Sequence, residues 1–276
     1  MGRFSKYNPS LSPDIEYLSD RAVIIQAWKK SHEYIRRHNW YSENLELDIS
    51  CICLEKFCDD WCTVFTRSNR TSFRPTPMRV IPAPKPAAKQ DERWQVDVEG
   101  KLSSKGELGI RPLAHIPIKD QTIGMVFLMC LANIVENIQG MPVPYSKDIK
   151  NLTASYGNRL LCTWNYSKTT KKVEAFFLWG NAETYNRYYS DYQAFITRPE
   201  KVYKSLGEEL SHSSQYYVFC LDLSKCFDRI SRNTLFQKVK RLVAPSTVSQ
   251  HSFLECFKHY LKWSWDHRDF EIIEQY

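Results

Sequence analysis

The sequence contains 276 residues, of which 43% are hydrophobic and 14% aromatic, and it carries a formal net charge of +7. This length and composition support one large domain or two smaller ones with a substantial core, and they exclude a chain that is disordered throughout. The moderate positive charge suits an anionic partner such as nucleic acid.

The cysteines and the first residues predict a cytoplasmic protein. The nine cysteines are an odd number, and the polar segment Met1 to Ser10 lacks the apolar stretch of a secretion signal. We therefore expect reduced thiols. The longest apolar run, Ile123 to Leu131, is too short to cross a bilayer and indicates a buried helix, so no membrane is expected among the partners.

Residues 1–65 are predicted to form a helical N-terminal extension. The triplet Ser12-Pro13-Asp14 is typical of a helix start, with a capping hydroxyl, a proline at the first helical position and an acid near the positive helix end. Apolar residues then recur at helical spacing, so this helix is expected to end near Arg37. A second helix is expected from Leu54 to Phe65.

Residues 66–92 are predicted to form a basic, proline-rich connector. Proline at this density excludes a helix or an inner strand, because proline lacks a backbone N–H. The connector is expected to lie over a surface or along a nucleic-acid backbone, and a solvated linker is the alternative. Arginines at the end of the first helix and in the connector are candidate nucleic-acid contacts: Arg36, Arg37, Arg74 and Arg79.

Beyond residue 93, strands alternate with helices without a strict parallel repeat, which predicts an α+β fold. The expected strands are Trp94 to Val98, Leu108 to Ile116, Tyr156 to Trp164, Val173 to Trp179 and Tyr216 to Leu223. The expected helices are Asp120 to Gln139, a tyrosine-rich helix after Asn181, Asn233 to Leu242 and Ser249 to Trp263.

An apolar strand that ends in an acid is the sharpest chemical signal. The segment Tyr216 to Leu221 leads into Asp222, and Asp228 follows an aromatic residue six positions later. A rigid strand fixes the position of a carboxylate, which suits metal binding. Nucleotidyl transfer uses two divalent ions about 4 Å apart, and Mg²⁺ prefers carboxylate oxygens. The pattern predicts a magnesium site at Asp222; a strand-to-helix turn capped by this aspartate is the alternative.

The segment Asp222 to Ile230, which reads Asp-Leu-Ser-Lys-Cys-Phe-Asp-Arg-Ile, resembles motif A of reverse transcriptases. The likeness is to the bacterial group II intron, retron and defence-associated enzymes. It implies that Asp222 is the catalytic residue that binds both metal ions. It also implies that Leu223 lends its backbone carbonyl to a metal ion, and that Phe227 packs under the sugar of the nucleotide and rejects ribose.

Two upstream segments resemble the fingers motifs of the same family and occur in the family's order. Gly109 to Gln121 contains Arg-Pro-Leu, then Ile-Pro, then an acid that opens a helix. The resemblance implies that Arg111, and Lys105 six residues before it, contact the incoming triphosphate. Ser-Tyr-Gly-Asn-Arg, which ends at Arg159, carries Asn158 where the family usually has phenylalanine. Here Arg159 is the implied contact to template or nucleotide, and a plain turn is the alternative.

The resemblance covers about Leu102 to Leu242 and implies reverse-transcriptase fingers over 93–210 and a partial palm over 211–276. It implies DNA synthesis on an RNA template from dNTPs with two Mg²⁺ ions. A bacterial source, a role in antiphage defence and a non-coding RNA partner are implied in the same way. A complete palm also needs a Gly-rich segment and Tyr/Phe-x-Asp-Asp, and neither follows Asp228. The isolated chain is therefore expected to be inactive. A fragment of a longer enzyme is the favoured explanation; completion by a second chain and degeneration of the domain are the others.

Two patterns near the N-terminus resemble an acid-pair motif and a zinc site. Phe57-Cys58-Asp59-Asp60 matches the missing acid pair, but its neighbours have helical spacing where a hairpin is needed, so we interpret it as surface acids on a helix. Cys51, Cys53, Cys58 and Cys62 suggest a zinc site. Their spacing is unusual for zinc, and two of them lie on the apolar helix face, which favours core thiols.

Other functions remain open. A non-catalytic RNA-binding or assembly module with a polymerase-like scaffold would explain the missing acid pair and the basic connector. An RNA-dependent RNA polymerase is disfavoured by Phe227, because such enzymes contact the 2′-hydroxyl. The tyrosines from Tyr185 to Tyr192 either stack bases or pack on the palm.

Overall fold

The computed structural model describes residues 10–38, 44–66, 70–84, 94–96, 102–104, 110–142, 155–207, 217, 219, 221 and 230–273. The helices are α1 (Arg21–His38), α2 (Asn44–Ile52), α3 (Leu54–Cys62), α4 (Ile118–Gln139), α5 (Tyr188–Gly207), α6 (Arg232–Val243), α7 (Val248–Tyr260) and α8 (Phe270–Ile273). The strands are β1 (Arg79–Pro84), β2 (Trp94–Val96), β3 (Leu102–Ser104), β4 (Ile110–His115), β5 (Cys162–Ser167) and β6 (Lys172–Phe177). In this part of the chain they form three two-stranded antiparallel sheets: β1 with β4, β2 with β3 and β5 with β6. The α+β class is confirmed, and a polymerase architecture stays a prediction.

Helix α4 lies at the centre of the described fold. Pro117 precedes its first residue, and Gly140, with a φ of 76°, follows its last, because glycine adopts a positive φ without strain. The helix packs against α1. The ring of Phe127 lies 5.3–5.7 Å from four other rings, those of Phe65, Phe253, Phe257 and Tyr260. One hydrophobic cluster therefore spans the boundary that was predicted after residue 65.

Among the described helices, α4 is long and apolar enough, by length and composition, to cross a membrane. The core helix of a soluble protein passes the same test. Half of its most apolar window is buried by the rest of the fold, and the carboxylates of Asp120 and Glu136 are buried near its two ends. The prediction of a buried helix agrees with this packing.

The first predicted helix is two elements. A short 3-10 helix, Ile15–Ser19, precedes α1 and is separated from it by Asp20. The Asp20 carboxylate accepts hydrogen bonds from the backbone N–H groups of Ala22 and Val23, at 2.8 and 3.2 Å. This second capping residue starts a new helix, which the apolar spacing alone did not indicate. Helix α2 was not predicted, whereas α3 confirms the second expected helix over most of its length.

The proline-rich connector contains a strand, which corrects the prediction of a connector over all of 66–92. Strand β1 pairs with β4 from Arg79↔His115 to Pro84↔Ile110. Proline is tolerated there because this sheet has two strands, so each strand has an edge that needs no partner. Just before β1, Met78 forms a parallel bridge with Trp265. The described part of the connector is therefore held by the C-terminal segment and is not a solvated linker.

The predicted hairpin is present as β5–β6, but its first strand begins at Cys162, six residues later than predicted, and its turn is shorter. Polar side chains fix it to α4. The amide oxygens of Asn133 and Asn137 accept hydrogen bonds from the backbone N–H groups of Phe177 and Ala175, each at 2.7 Å. These asparagines are four residues apart and so lie on one face of the helix. They hold β6 against the last turns of α4.

The later helices lie close to their predicted positions, with one difference. Helix α7 begins after a capping box formed by Thr247 and Gln250. Helix α5 begins at Tyr188, later than expected from Asn181. The segment from Asn181 to Tyr188 instead pairs with the residues just before β5, where the Leu161 N–H donates to the Thr184 carbonyl at 3.0 Å.

Candidate nucleic-acid interface

Most residues implied by the resemblance lie outside the described residues. These are Asp222, Leu223, Phe227 and Lys105. The backbone of Arg111 lies in β4 opposite Ala83. Within the described ranges, no group of three or more His, Cys, Asp or Glu side chains is placed to hold a metal ion. The two-metal site at Asp222 therefore remains a prediction.

Arg159 lies inside the fold. Its side chain is 1% exposed and that of its partner Glu136, on α4, is 2% exposed. The guanidinium donates to Glu136 Oε2 through Nε at 2.9 Å and through Nη2 at 2.6 Å. It also donates to the backbone carbonyls of Gly140, at 2.6 Å, and Ser155, at 3.1 Å. With these partners and this burial, Arg159 is a structural anchor. Its guanidinium is not exposed for the predicted contact with template or nucleotide.

The ion pair fixes the turn at residues 155–159. Glu136 Oε1 accepts a further hydrogen bond from the Leu160 backbone N–H at 3.0 Å. In the turn, Asn158 has a φ of 52°. Asparagine tolerates this left-handed conformation better than most residues, because its short polar side chain can hydrogen-bond locally. Gly157 faces open space, since a Cβ there would have no atom within 4 Å.

An aromatic pocket of about 440 Å³ lies between this turn and α5. It is lined by Ser155, Tyr156 and Gly157 from the turn and by Tyr188, Tyr192 and Phe195 from the helix. The three helix residues follow the i, i+4, i+7 spacing of one helix face. They are 71%, 42% and 57% exposed. A contiguous patch of exposed aromatic side chains is typical of an interaction surface.

The rings of the aromatic pocket form two pairs. Tyr188 and Tyr192 are stacked, with centroids 5.4 Å apart and an interplanar angle of 19°. Tyr156 and Phe195 are tilted, with centroids 6.2 Å apart. The guanidinium of Arg198 lies 5.8 Å from the Tyr156 ring centroid, a cation–π contact. The pocket thus combines apolar ring faces with positive charge.

One acid lies at the start of α5, beneath this surface. Asp191 is 5% exposed, and both of its carboxylate oxygens accept from Asn186 Nδ2 at 3.2 Å. Burial raises the pKa of Asp191 above its ordinary value.

The four arginines proposed as nucleic-acid contacts all have partners within the protein. Arg36 pairs with Asp48, and Arg37 pairs with Glu33 and Glu183. Arg79 binds Asp269 through two nitrogens, at 2.7 and 3.0 Å. Arg74 donates to Nδ1 of His259 at 2.7 Å, and burial lowers the pKa of this histidine. The side chains remain partly exposed, but each is engaged in linking elements of the fold.

The acid pair lies on a helix, as interpreted, whereas of the four cysteines only Cys58 is buried and Cys51 is exposed. Asp59 and Asp60 lie on helix α3, and Asp59 pairs with Arg21. Cys58 is fully buried, and burial raises its pKa to about 11. Burial also raises the pKa of Cys62.

The sequence contained a partial signal for the aromatic pocket. The sequence indicates the tyrosines of α5 as candidate stacking residues. It does not indicate Phe195 as one, nor that these rings and the turn at 155–157 line one pocket. Glu136 was also missed, because nothing in its local sequence indicates a partner 23 residues away.

The chain was compared with known protein families, curated proteins and solved structures. No family model, no curated protein and no solved structure matches this chain.

Proposed function

We propose that this chain is the fingers and first palm segment of an RNA-directed DNA polymerase. The observation that carries the proposal is the order of three motifs, around Arg111, at 155–159 and from Asp222 to Ile230. The fixed turn at 155–159 supports it, because a motif held by a buried ion pair keeps one geometry toward a ligand. Cytoplasmic location and a role in antiphage defence belong to the same proposal.

The proposed chemistry is the transfer of a nucleotidyl group to a growing DNA strand. Asp222 would hold the metal ions, and Leu223 would add its backbone carbonyl. The Mg²⁺ ions supply charge stabilisation at the attacking and leaving oxygens. Lys105 and Arg111 would neutralise the triphosphate, the lysine as a point charge and the arginine as a two-pronged donor. A two-metal site needs further carboxylates beside Asp222, and the family's Tyr/Phe-x-Asp-Asp does not follow Asp228 in this sequence.

The test of this function is Asp222→Ala in the complete enzyme. We expect loss of dNTP incorporation on a primed RNA template, because a neutral methyl group cannot bind Mg²⁺. Ser224→Ala, two residues along the same motif, is the matched control and should retain synthesis. Retained synthesis in Asp222→Ala would reject the assignment.

Phe227→Ala separates a DNA polymerase from an RNA polymerase. If the ring packs under the deoxyribose, its removal should allow ribonucleotides to enter, and discrimination against them should fall by at least about 10-fold. The ratio of kcat/KM for dNTPs and rNTPs measures this effect. Unchanged discrimination would show that Phe227 does not select the sugar.

The second candidate function is a non-catalytic RNA-binding or assembly module. The exposed aromatic pocket favours it, because binding there needs no metal ion. For this function Asp222→Ala would leave the biological readout intact. Neutral changes such as Arg36→Gln and Arg74→Gln test the basic surfaces better than charge reversal, because an acid at position 36 would also be repelled by Asp48.

A further inference from the structure

We infer that the aromatic pocket between the 155–157 turn and α5 binds an unstacked base of a single-stranded nucleic acid. The inference deepens the proposed function and rests on it in one respect: in a polymerase this strand would be the template. The binding itself needs only the described residues. It is independent of Asp222.

The shape of the pocket fits a planar ligand. Tyr188 and Tyr192 present ring faces inclined by only 19°, on the exposed side of α5. Every nucleobase has a π-face, so such rings bind bases with little dependence on sequence. The volume of about 440 Å³ lies in the range of roughly 300–1,000 Å³ that is usual for small-molecule sites.

The polarity of the pocket also fits a base. Four of the lining residues, three tyrosines and Ser155, carry a hydroxyl group, and Phe195 adds an apolar ring. Hydroxyls both donate and accept hydrogen bonds, so they can meet the mixed edge of any base. A purely aliphatic partner surface would leave these groups without hydrogen bonds.

The charge around the pocket favours a nucleic-acid strand over an acidic or neutral peptide. Residues 187–204 contain four basic side chains and two acidic ones, and Asp191 is one of the two and is buried. Arg187 is exposed and directly precedes Tyr188, and Arg198 lies over Tyr156. Positive charges beside the rings suit the phosphates that flank a stacked base.

Gly157 gives a way to test ligand approach without disturbing the fold. It lines the pocket, and a methyl group there meets no protein atom within 4 Å. Gly157→Ala should therefore leave stability unchanged and reduce the space available to the base.

The experiment is fluorescence anisotropy of the 276-residue chain with a labelled oligouridine of about 12 nucleotides and with an abasic strand of the same length. We expect tighter binding of the oligouridine, by roughly 5- to 100-fold. Tyr188→Leu/Tyr192→Leu should bind both strands equally, and Gly157→Ala should show a smaller loss. Tyr166→Leu, which removes an exposed tyrosine of β5 outside the pocket, is the control and should bind as the wild type does. Circular dichroism should show the same helix content in all variants.

Equal binding of the two strands by the wild-type chain would overturn the inference, as would unchanged binding by the double variant. Concentration-dependent dimerisation that the double variant abolishes, without a base-dependent effect, would assign the pocket to a second copy of the chain instead. Asp222→Ala should keep base-dependent binding. If Asp222→Ala abolishes synthesis while the tyrosine variants bind normally, the polymerase proposal holds and the pocket assignment is wrong. If Asp222→Ala retains synthesis while the tyrosine variants lose base-dependent binding, the pocket assignment holds and the polymerase proposal is wrong.

Discussion

The turn at 155–159 separates two regions that differ in what they bury. On its inner side, Arg159 and Glu136 form an ion pair that is almost completely buried. On its outer side, Tyr188 and Phe195 leave more than half of their surfaces exposed. The sequence predicts that Arg159 contacts template or nucleotide, with a plain turn as the alternative, and that the tyrosines either stack bases or pack on the palm. The comparison shows that Arg159 serves the fold because its partner is buried beside it, which its residue type does not reveal.

The largest expected effect is on the inner side. Arg159→Met should lower the free energy of unfolding by about 3–5 kcal/mol, because it leaves the buried Glu136 carboxylate without its charge partner. Urea denaturation followed by circular dichroism measures the change. Glu136→Leu/Arg159→Met is the matched control and should recover much of the loss, since no unpaired charge remains. A loss below about 1 kcal/mol in Arg159→Met would contradict a buried anchor.

A second prediction concerns the close contact between α4, which carries Glu136, and α7. A Cβ at Gly124 would overlap the hydroxyl of Tyr260. Gly124→Ala should therefore destabilise the fold by about 1–3 kcal/mol through overpacking. Gly180→Ala is the control, because a Cβ there meets no atom within 4 Å, and thermal unfolding should show little change. Equal melting temperatures of the two variants would argue against close packing of α4 on α7.

The pH dependence of stability tests a buried lysine that supports the region before α5. Lys30 Nζ donates to the carbonyls of Glu183, at 2.6 Å, and Leu178, at 3.3 Å. Burial lowers its pKa from 10.5 to about 8. Below pH 8 the group is charged in both states. Between pH 8 and 10.5 the unfolded chain binds more protons, so the free energy of unfolding rises with pH.

Lys30→Met should lack this rise. The difference in unfolding free energy between wild type and variant should change by an amount on the order of 1–2 kcal/mol between pH 7.5 and 9.5, in favour of the wild type. Urea denaturation at the two pH values measures it. A constant difference would mean that Lys30 keeps its ordinary pKa in the fold.

The smallest expected effect is on the outer side. Tyr188→Leu should change the free energy of unfolding by no more than about 1 kcal/mol, because the side chain is 71% exposed and loses only its stacking on Tyr192. Chemical denaturation checks this beside Arg159→Met. A loss as large as that of the anchor variant would make the tyrosine part of the core and remove the contrast between the two regions.

Elements with a local signal were predictable from sequence. Helices α4, α6 and α7 lie within a few residues of their expected positions, because an apolar face, a proline or a capping residue marks each one. The split at Asp20 was missed because apolar spacing continues across it. Strand β1 was missed because its partner β4 lies some 30 residues away, and a two-stranded sheet tolerates prolines that an inner strand excludes.

The candidate site was predictable only in part. The exposed rings at Tyr188 and Tyr192 have a helical spacing that sequence shows, but their meeting with Tyr156 depends on the fold. The burial of Arg159 depends on Glu136, and the engagement of Arg79 depends on Asp269, 190 residues further on. Such long-range partners carry no local sequence signal. They decide which basic residues remain available to a ligand.

Base binding in the aromatic pocket can be tested by photocrosslinking a 4-thiouridine-containing RNA strand to the 276-residue chain. Mass spectrometry then maps the crosslinked residues. We expect crosslinks in the aromatic pocket, at Tyr156, Tyr188, Tyr192 or Phe195, and their loss in Tyr188→Leu/Tyr192→Leu. Crosslinks confined to the surfaces around Arg36 and Arg37 or around Arg74 and Arg79, or crosslinks unchanged in the double variant, would contradict it.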